Sequence, residues 1–179
     1  MSKTSLQTFG LFLGLGAIVA GAPLLWSLGV GGNDPKAGLP VGSKAPEITG
    51  GGWINGEAPQ ASDFDGKVVL VNAWSLSCPH CEAGLPDLVE LYDRYKDKGV
   101  LFVGLSLDGA NRAEDMAKYL KKYKANWPNA FDARKSAQAF KAEYIPGYWL
   151  IDRKGTIVWN KSSKEKVDEA IDKALKSAT

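Results

Sequence analysis

Two cysteines stand directly after a pattern that is typical of a buried strand. The segment Lys67-Val-Val-Leu-Val-Asn-Ala-Trp74 is almost wholly apolar and β-branched, as in a strand covered on both faces. Cys78-Pro-His-Cys81 follows, and apolar residues then recur at helical spacing as far as the turn signal Gly99. The pattern predicts a central strand, a crevice at its carboxyl end, and a helix that begins at the cysteines.

Further elements follow along the chain. The patterns predict a buried strand at 100–107, a helix that Asn111 and Glu114 cap, a short helix at 133–144, a hairpin at 148–160 and a last helix that Ser162 and Glu165 cap. A weaker pattern predicts an edge hairpin within 46–62. This order of elements predicts an α/β fold, with a mixed sheet between layers of helices.

The composition argues against a structural role for the cysteines. With 179 residues, of which 45% are apolar, the chain can bury a hydrophobic core in one domain without a stabilising disulfide. A bridge between Cys78 and Cys81 closes a very small loop and contributes little stability. The net charge of +2 is spread without a basic block, so no nucleic-acid partner is expected.

The amino-terminal part has a different composition. Residues 9–30 are almost wholly apolar, and this run has about the length of a membrane-spanning helix. The alternative is a cleaved signal peptide, because Ala20-Gly-Ala22 resembles a processing site, although Pro23 should hinder cleavage there. Lys3 precedes the apolar run, and this positive charge favours an amino terminus on the inner side of the membrane.

These features divide the chain into three predicted parts. Residues 1–31 are a membrane anchor or signal segment, 32–44 are a tether rich in Gly and Pro, and 45–179 are the folded domain. The anchor predicts a single-pass cell-membrane protein whose domain lies in the periplasm or exoplasmic space, where disulfides can form. Cleavage of the segment gives a periplasmic or secreted protein instead.

The order of residues in the motif predicts separate roles for the two sulfurs. Cys78 lies at the mouth of a helix, where free N–H groups and the helix dipole stabilise a thiolate. Pro79 suits the first helical position, and a protonated His80 adds a positive charge that lowers the pKa of the Cys78 thiol. Cys81 is one turn into the helix, so we expect Cys78 to attack and Cys81 to resolve the mixed disulfide.

These residues resemble the thioredoxin superfamily and, more narrowly, the membrane-anchored TlpA/ResA-like thiol:disulfide oxidoreductases. The resemblance extends from about Val41 to the carboxyl terminus. It rests on Gly66–Trp74 leading into the motif, Leu85-Pro86, an added helix within 108–129, and Tyr144-Ile-Pro146 ahead of Tyr148–Gly155. It implies a thioredoxin-like three-layer sandwich, with a mixed central sheet flanked by helices, and an enzyme that exchanges disulfides.

The resemblance also implies roles for individual residues. Cys78 is the nucleophile and Cys81 the resolving thiol, while Pro146 is a cis-proline that faces the pair. Ile145, before that proline, pairs with an extended client segment. Pro79 and Trp74 are further candidates for contact with the client.

Three positions depart from the family pattern. Ser77 stands where tryptophan is usual, and Asn72 replaces the buried carboxylate of thioredoxins, as is common in this branch. Gly84 replaces the glutamate that the branch carries, so no matched residue remains to take the proton from Cys81. Glu82 is the nearest carboxylate in sequence, but it is expected on a different helix face.

The implied partners are proteins. The resemblance implies a client with thiols or a disulfide, such as an apocytochrome c in cytochrome c maturation, and a membrane or periplasmic redox partner, with no cofactor. Cys-Pro-His-Cys is also the motif of the oxidising DsbA branch, so a DsbA-like disulfide-forming oxidant is an alternative function. We expect a potential more oxidising than is usual for TlpA/ResA-like proteins. The alternative class is a non-catalytic copper or zinc carrier, because three ligand types fall within four residues. The chain has no other histidine or cysteine to complete that site, and no metal is predicted.

Overall fold

The computed structural model describes residues 38–177, and the predicted anchor or signal segment, 1–31, lies outside them. No helix in the described part is both long and apolar enough to cross a membrane. The strands are β1 (Gly52–Ile54), β2 (Val68–Trp74), β3 (Val100–Ser106), β4 (Asn129–Phe131), β5 (Gly147–Ile151) and β6 (Ile157–Asn160). The helices in this range are α1 (Ala61–Phe64), α2 (Pro79–Tyr95), α3 (Ala113–Tyr123), α4 (Arg134–Ala139) and α5 (Val167–Lys176).

The strands form one mixed sheet in the order β1-β4-β3-β2-β5-β6. β2, β3 and β4 are parallel, whereas β5 is antiparallel to β2, and β6 and β1 are antiparallel to their neighbours. All seven residues of β2 are buried, which confirms the prediction of a strand covered on both faces. The mixed sheet flanked by helices is the architecture that the sequence predicts.

Alternation along β2 divides the core into two layers. Val68, Leu70 and Trp74 pack beneath α2, α3 and α5. Val69, Val71 and Ala73 pack on the opposite layer, formed by the segment before β1 and the residues around α4. Because successive side chains of a strand point to opposite faces, this one strand contributes to both layers and fixes the end of α2 against the sheet.

Both predicted capping boxes are wrong. A 3-10 turn over Ala110–Arg112 precedes α3, so Asn111 lies inside that turn and Arg112 is the residue before the helix. Ser162 instead donates to the side chain of Asn160 at 2.7 Å, in the turn after β6. α5 therefore begins later than predicted, with Lys166 at its cap position and no side-chain cap.

Two other predictions fail at the edges of the sheet. The hairpin expected within 46–62 does not form, because β1 pairs with β4, which the sequence pattern did not reveal. α4 is shorter than predicted because Lys141 adopts a left-handed conformation, with φ of 53°, that ends the helical segment. Tyr144 lies beyond the end of α4 and is 58% exposed.

The carboxyl end of the predicted tether contacts the domain. The Leu39 amide donates to the Phe140 carbonyl at 2.9 Å, and the Gly42 amide donates to the Ile157 carbonyl at 2.8 Å. Lys44 forms an isolated bridge with Thr156 beside β6. These bonds hold residues 39–44 against the layer opposite α2, while the division of the chain at 31 and 44 stays a prediction.

Candidate active site

Cys78 and Cys81 form a disulfide at the amino terminus of α2. Cys78 is the cap residue, and its Sγ accepts a hydrogen bond from the Cys81 amide at 3.1 Å. Pro79 is the first helical residue, as predicted, because a proline there forfeits no intrahelical hydrogen bond. The Cys78 sulfur therefore lies against the positive end of α2, where an anion is stabilised.

The two cysteines differ in their surroundings. Cys78 is 9% exposed and Cys81 is 5% exposed, whereas Pro79 and His80 are exposed between them. We expected Cys78 to be open to a crevice. It is more covered because its Sγ is bonded to Cys81 and folded over the first turn of α2.

The loop between β2 and α2 is fixed by a carboxylate that sequence reasoning missed. Asp108, just after β3, is 9% exposed, and its Oδ2 accepts from the Leu76 amide at 2.8 Å and the Ser106 hydroxyl at 3.0 Å. Arg112 lies 3.6 Å from the other oxygen of Asp108. Because parallel strands end at one edge of a sheet, a polar residue after β3 was the available signal.

The Ile145–Pro146 peptide bond is cis, as the resemblance implies. Pro146 and Cys81 line the same small cavity. The Pro146 carbonyl accepts a hydrogen bond from Lys161 Nζ at 3.4 Å. The structure thus brings together Cys81 and the proline, and Ile145 is half-buried immediately before Pro146.

Trp74 lies beneath the loop rather than on the surface. It is 4% exposed, and its Nε1 donates to Asn129 Oδ1 at 3.0 Å. Its ring stacks on Tyr119 of α3, with 5.5 Å between the ring centroids. The predicted contact of Trp74 with a client would therefore require these neighbours to move.

Comparison with known proteins identifies the group to which this site belongs. The sequence pattern of the AhpC/TSA family matches residues 41–160, which is most of the described chain and includes both cysteines. The chain belongs to the AhpC/TSA family. Its curated relatives include the thiol-disulfide oxidoreductase ResA of Bacillus thuringiensis subsp. konkukian, which is 30% identical over 144 residues, 79% of this chain and 80% of that protein.

Solved structures support the same assignment. The thioredoxin domain of a thiol-disulfide oxidoreductase from Bacteroides vulgatus is 30% identical, with a TM-score of 0.62 over 77% of this chain and 97% of that one. A thiol:disulfide interchange protein from Bacteroides sp. is 29% identical, with a TM-score of 0.63 over 78% and 93%. This AhpC/TSA family member therefore has the thioredoxin-like fold and is a thiol-disulfide oxidoreductase with a Cys78–Cys81 pair.

In this AhpC/TSA family member, the Glu82 carboxylate contacts residues of α3. Tyr123 of α3 donates its hydroxyl hydrogen to Glu82 Oε1 at 2.5 Å, and Lys122 Nζ lies 3.7 Å from the same oxygen. Burial, and then the charge of Glu82, raises the pKa of Tyr119 to about 12. The carboxylate nearest in sequence to Cys81 thus joins α2 to α3 and is not among the residues that line the cavity beside Cys81.

A groove of about 700 Å³ lies between α2 and α5, and Leu88 and Tyr148 line both this groove and the cavity beside Cys81. Leu70, Leu91 and Trp159 form part of the apolar floor of the groove. Gly84 also lines the groove. Within 38–177, no three His, Cys, Asp or Glu side chains are grouped so that they could hold a metal ion.

Proposed function

We propose that this protein exchanges disulfides with protein clients on the exoplasmic side of a membrane, with Cys78 as the attacking thiol and Cys81 as the resolving thiol. The observation that carries the proposal is the asymmetry of the pair. Cys78 caps α2 and receives the Cys81 amide, whereas Cys81 is one turn inward and less exposed. A thiolate at the cap is stabilised by the helix terminus, and the thiolate is the form that attacks.

The proposed reaction conserves electrons and atoms. In the direction that reduces a client, the Cys78 thiolate attacks the client disulfide, which forms a mixed disulfide and releases one client thiolate. Cys81 then loses its proton and attacks Cys78 Sγ, which forms the Cys78–Cys81 disulfide and releases the second client thiolate. The two electrons lost by the protein pair reduce the client, and the reverse sequence oxidises it.

The proposed client is an extended segment that lies across the edge near Ile145. Ile145 directly precedes Pro146 and β5, and Pro79 and His80 are exposed between the two cysteines. Backbone pairing at such a position orients a client without restricting its side chains. Ile145 and Pro79 are therefore the proposed client contacts, and His80 is proposed to add charge beside the Cys78 sulfur.

The proposed location rests on the amino-terminal sequence. The apolar run within 1–31 is proposed to hold the protein in the cell membrane, with 32–44 as a tether and 45–179 in the exoplasmic space. The similarity to ResA supports a role among the membrane-associated thiol:disulfide oxidoreductases that the sequence resembles. Apocytochrome c is the proposed client class, with a membrane or periplasmic redox protein that recycles the pair.

The test compares Cys78→Ser with Cys81→Ser in insulin disulfide reduction. Cys78→Ser removes the attacking sulfur and is expected to abolish activity and to form no mixed disulfide. Cys81→Ser keeps the attacking sulfur and is expected to accumulate a mixed disulfide that does not resolve. Full activity of Cys78→Ser, or a mixed disulfide through Cys81 in that variant, would show that the roles are assigned wrongly.

A further inference from the structure

A cavity beside Cys81 has the size and the lining of a water site. The centre of a water molecule can occupy about 10 Å³ of this cavity, which is enough space for one water. The groups around it include the Cys81 residue itself, two asparagines and two tyrosines: Asn72, Asn129, Tyr119 and Tyr148. No carboxylate lines it, so a proton that leaves Cys81 finds no acidic side chain within the described cavity wall.

Trp127 Nε1 is buried, lines the cavity and has no hydrogen-bond partner among residues 38–177. Asn72 is a second polar group of the lining. It is 6% exposed, lines the cavity, and its side chain makes no hydrogen bond to any residue of 38–177. A buried donor without a partner, such as Trp127 Nε1, costs about 1 to 3 kcal/mol, and a water in the cavity that accepts from it removes that cost. An amide can orient a water but, unlike a carboxylate, does not take up its proton near neutral pH.

Tyr148 connects this cavity to the outside. It is opposite Asn72 in the pairing of β2 with β5, so the two side chains share one face of the sheet. Tyr148 also lines the groove between α2 and α5. Its hydroxyl oxygen is 3.7 Å from the point where a Cβ on Gly84 would lie, so the glycine leaves the hydroxyl uncovered on that side.

The surroundings keep the Tyr148 hydroxyl protonated. Burial raises its pKa, and the charge of Asp87 on α2 raises it further. Lys161 Nζ, after β6, lies 5.9 Å from the Tyr148 ring centroid, and Tyr119 of α3 is a further titratable neighbour. A protonated hydroxyl can accept a proton on one side while it donates its own on the other.

We propose that a water held by Asn72 carries the Cys81 proton to the Tyr148 hydroxyl, which releases its own proton into the groove. This inference rests on the proposed roles of the cysteines. In the resolving step, the Cys81 thiol becomes a thiolate, one proton moves to the water, one moves from the water to Tyr148 Oη, and one leaves Tyr148 for solvent. The Cys81 thiolate then displaces the client thiolate from Cys78, so the water and Tyr148 end unchanged.

The test measures the two chemical steps separately. Reduced protein is mixed with a peptide disulfide, quenched at intervals with an alkylating reagent, and the mixed disulfide is quantified by mass. Tyr148→Phe is expected to form the mixed disulfide at the wild-type rate and to resolve it roughly a hundredfold more slowly, with a smaller deficit as pH rises. The redox potential of the pair is expected to stay unchanged, because a proton path alters rates and not equilibria.

Tyr92→Phe is the matched control, because Tyr92 packs against Phe102 and Trp127 in the same layer but does not line the cavity. Asn72→Asp, added to Tyr148→Phe, supplies a carboxylate in the cavity and is expected to restore resolution. Wild-type resolution by Tyr148→Phe, an equal loss in Tyr92→Phe, or no rescue by Asn72→Asp would overturn the inference. A wild-type protein that forms no mixed disulfide would instead overturn the proposed function.

Discussion

Gly104 lies where β3 passes beneath the support of the active-site loop. A Cβ added there would lie 1.7 Å from Asn129 Oδ1 and 3.1 Å from Trp74 Nε1. Those two atoms form the buried hydrogen bond that holds the Trp74 ring. Gly104→Ala therefore forces the Asn129 amide away from its position and separates the pair.

The expected loss follows from three contributions. Forcing a methyl group into this contact costs about 1 to 3 kcal/mol, and the buried Trp74 N–H left without a partner costs about 1 to 3 kcal/mol more. Replacement of glycine by alanine within a strand returns about 0.5 to 1 kcal/mol, since the unfolded chain loses freedom. We expect Gly104→Ala to lower the free energy of unfolding by about 3 kcal/mol.

The assay is urea unfolding of the oxidised protein, with Gly84→Ala as the matched control. A Cβ at Gly84 meets only Tyr148 Oη, at 3.7 Å, within a helix. The same chemical change is therefore expected to stabilise that variant by about 0.5 to 1 kcal/mol. A double variant, Gly104→Ala with Asn129→Ala, removes the clash and is expected to lose less stability than the sum of the single variants.

A loss of less than about 1 kcal/mol in Gly104→Ala, with the expected result for Gly84→Ala, would refute the predicted clash at Gly104. Strict additivity in the double variant would also contradict it. In that case the strand can shift to admit the methyl group, and the Trp74–Asn129 bond does not depend on the glycine. Near-ultraviolet circular dichroism of the tryptophans would report whether the Trp74 ring has moved.

Two further predictions concern charge and pH. His80→Pro removes an exposed imidazole beside Cys78, so we expect the cysteine pair to become less oxidising. A glutathione titration measures the change, and each tenfold change in the equilibrium constant corresponds to about 30 mV. An unchanged potential would contradict the proposed role of His80. Tyr119 has a folded pKa of about 12, above its ordinary 10.0, so its contribution to stability is present below pH 10 and is lost as pH rises toward 12. The difference in phenolate absorbance between the wild type and Tyr119→Phe reports the titration of Tyr119, and we expect its midpoint near that upper value. A midpoint near 10 would show that burial does not raise the pKa of Tyr119.

Local patterns were sufficient for the elements that cross the core. β2, β3, the β5–β6 hairpin and the long helix after the cysteines were predicted because burial imposes a periodicity on each of them. The capping boxes failed for a related reason. Asn111 and Ser162 have the right neighbours in sequence, but a 3-10 turn and the Asn160 side chain determine their conformations.

The short edge strands were not predictable in the same way. β1 and β4 have three residues each, and each owes its conformation to pairing with a distant segment. With so few residues, neither strand has a periodicity that can be read from the chain. Asp108 was missed because its importance depends on the Leu76 amide, which lies 32 positions away in sequence.

The sequence by itself determined the chemistry of this protein. It places a cysteine pair at the start of a helix that follows a buried strand, in a chain large enough to fold without a stabilising disulfide. Such features depend on residues that are neighbours in the chain, so local order specifies them. Only the tertiary structure decided which groups surround the pair. Asn72, Tyr148 and Gly84 meet near Cys81 because β2, β5 and α2 pack together, and that packing depends on contacts across the whole domain.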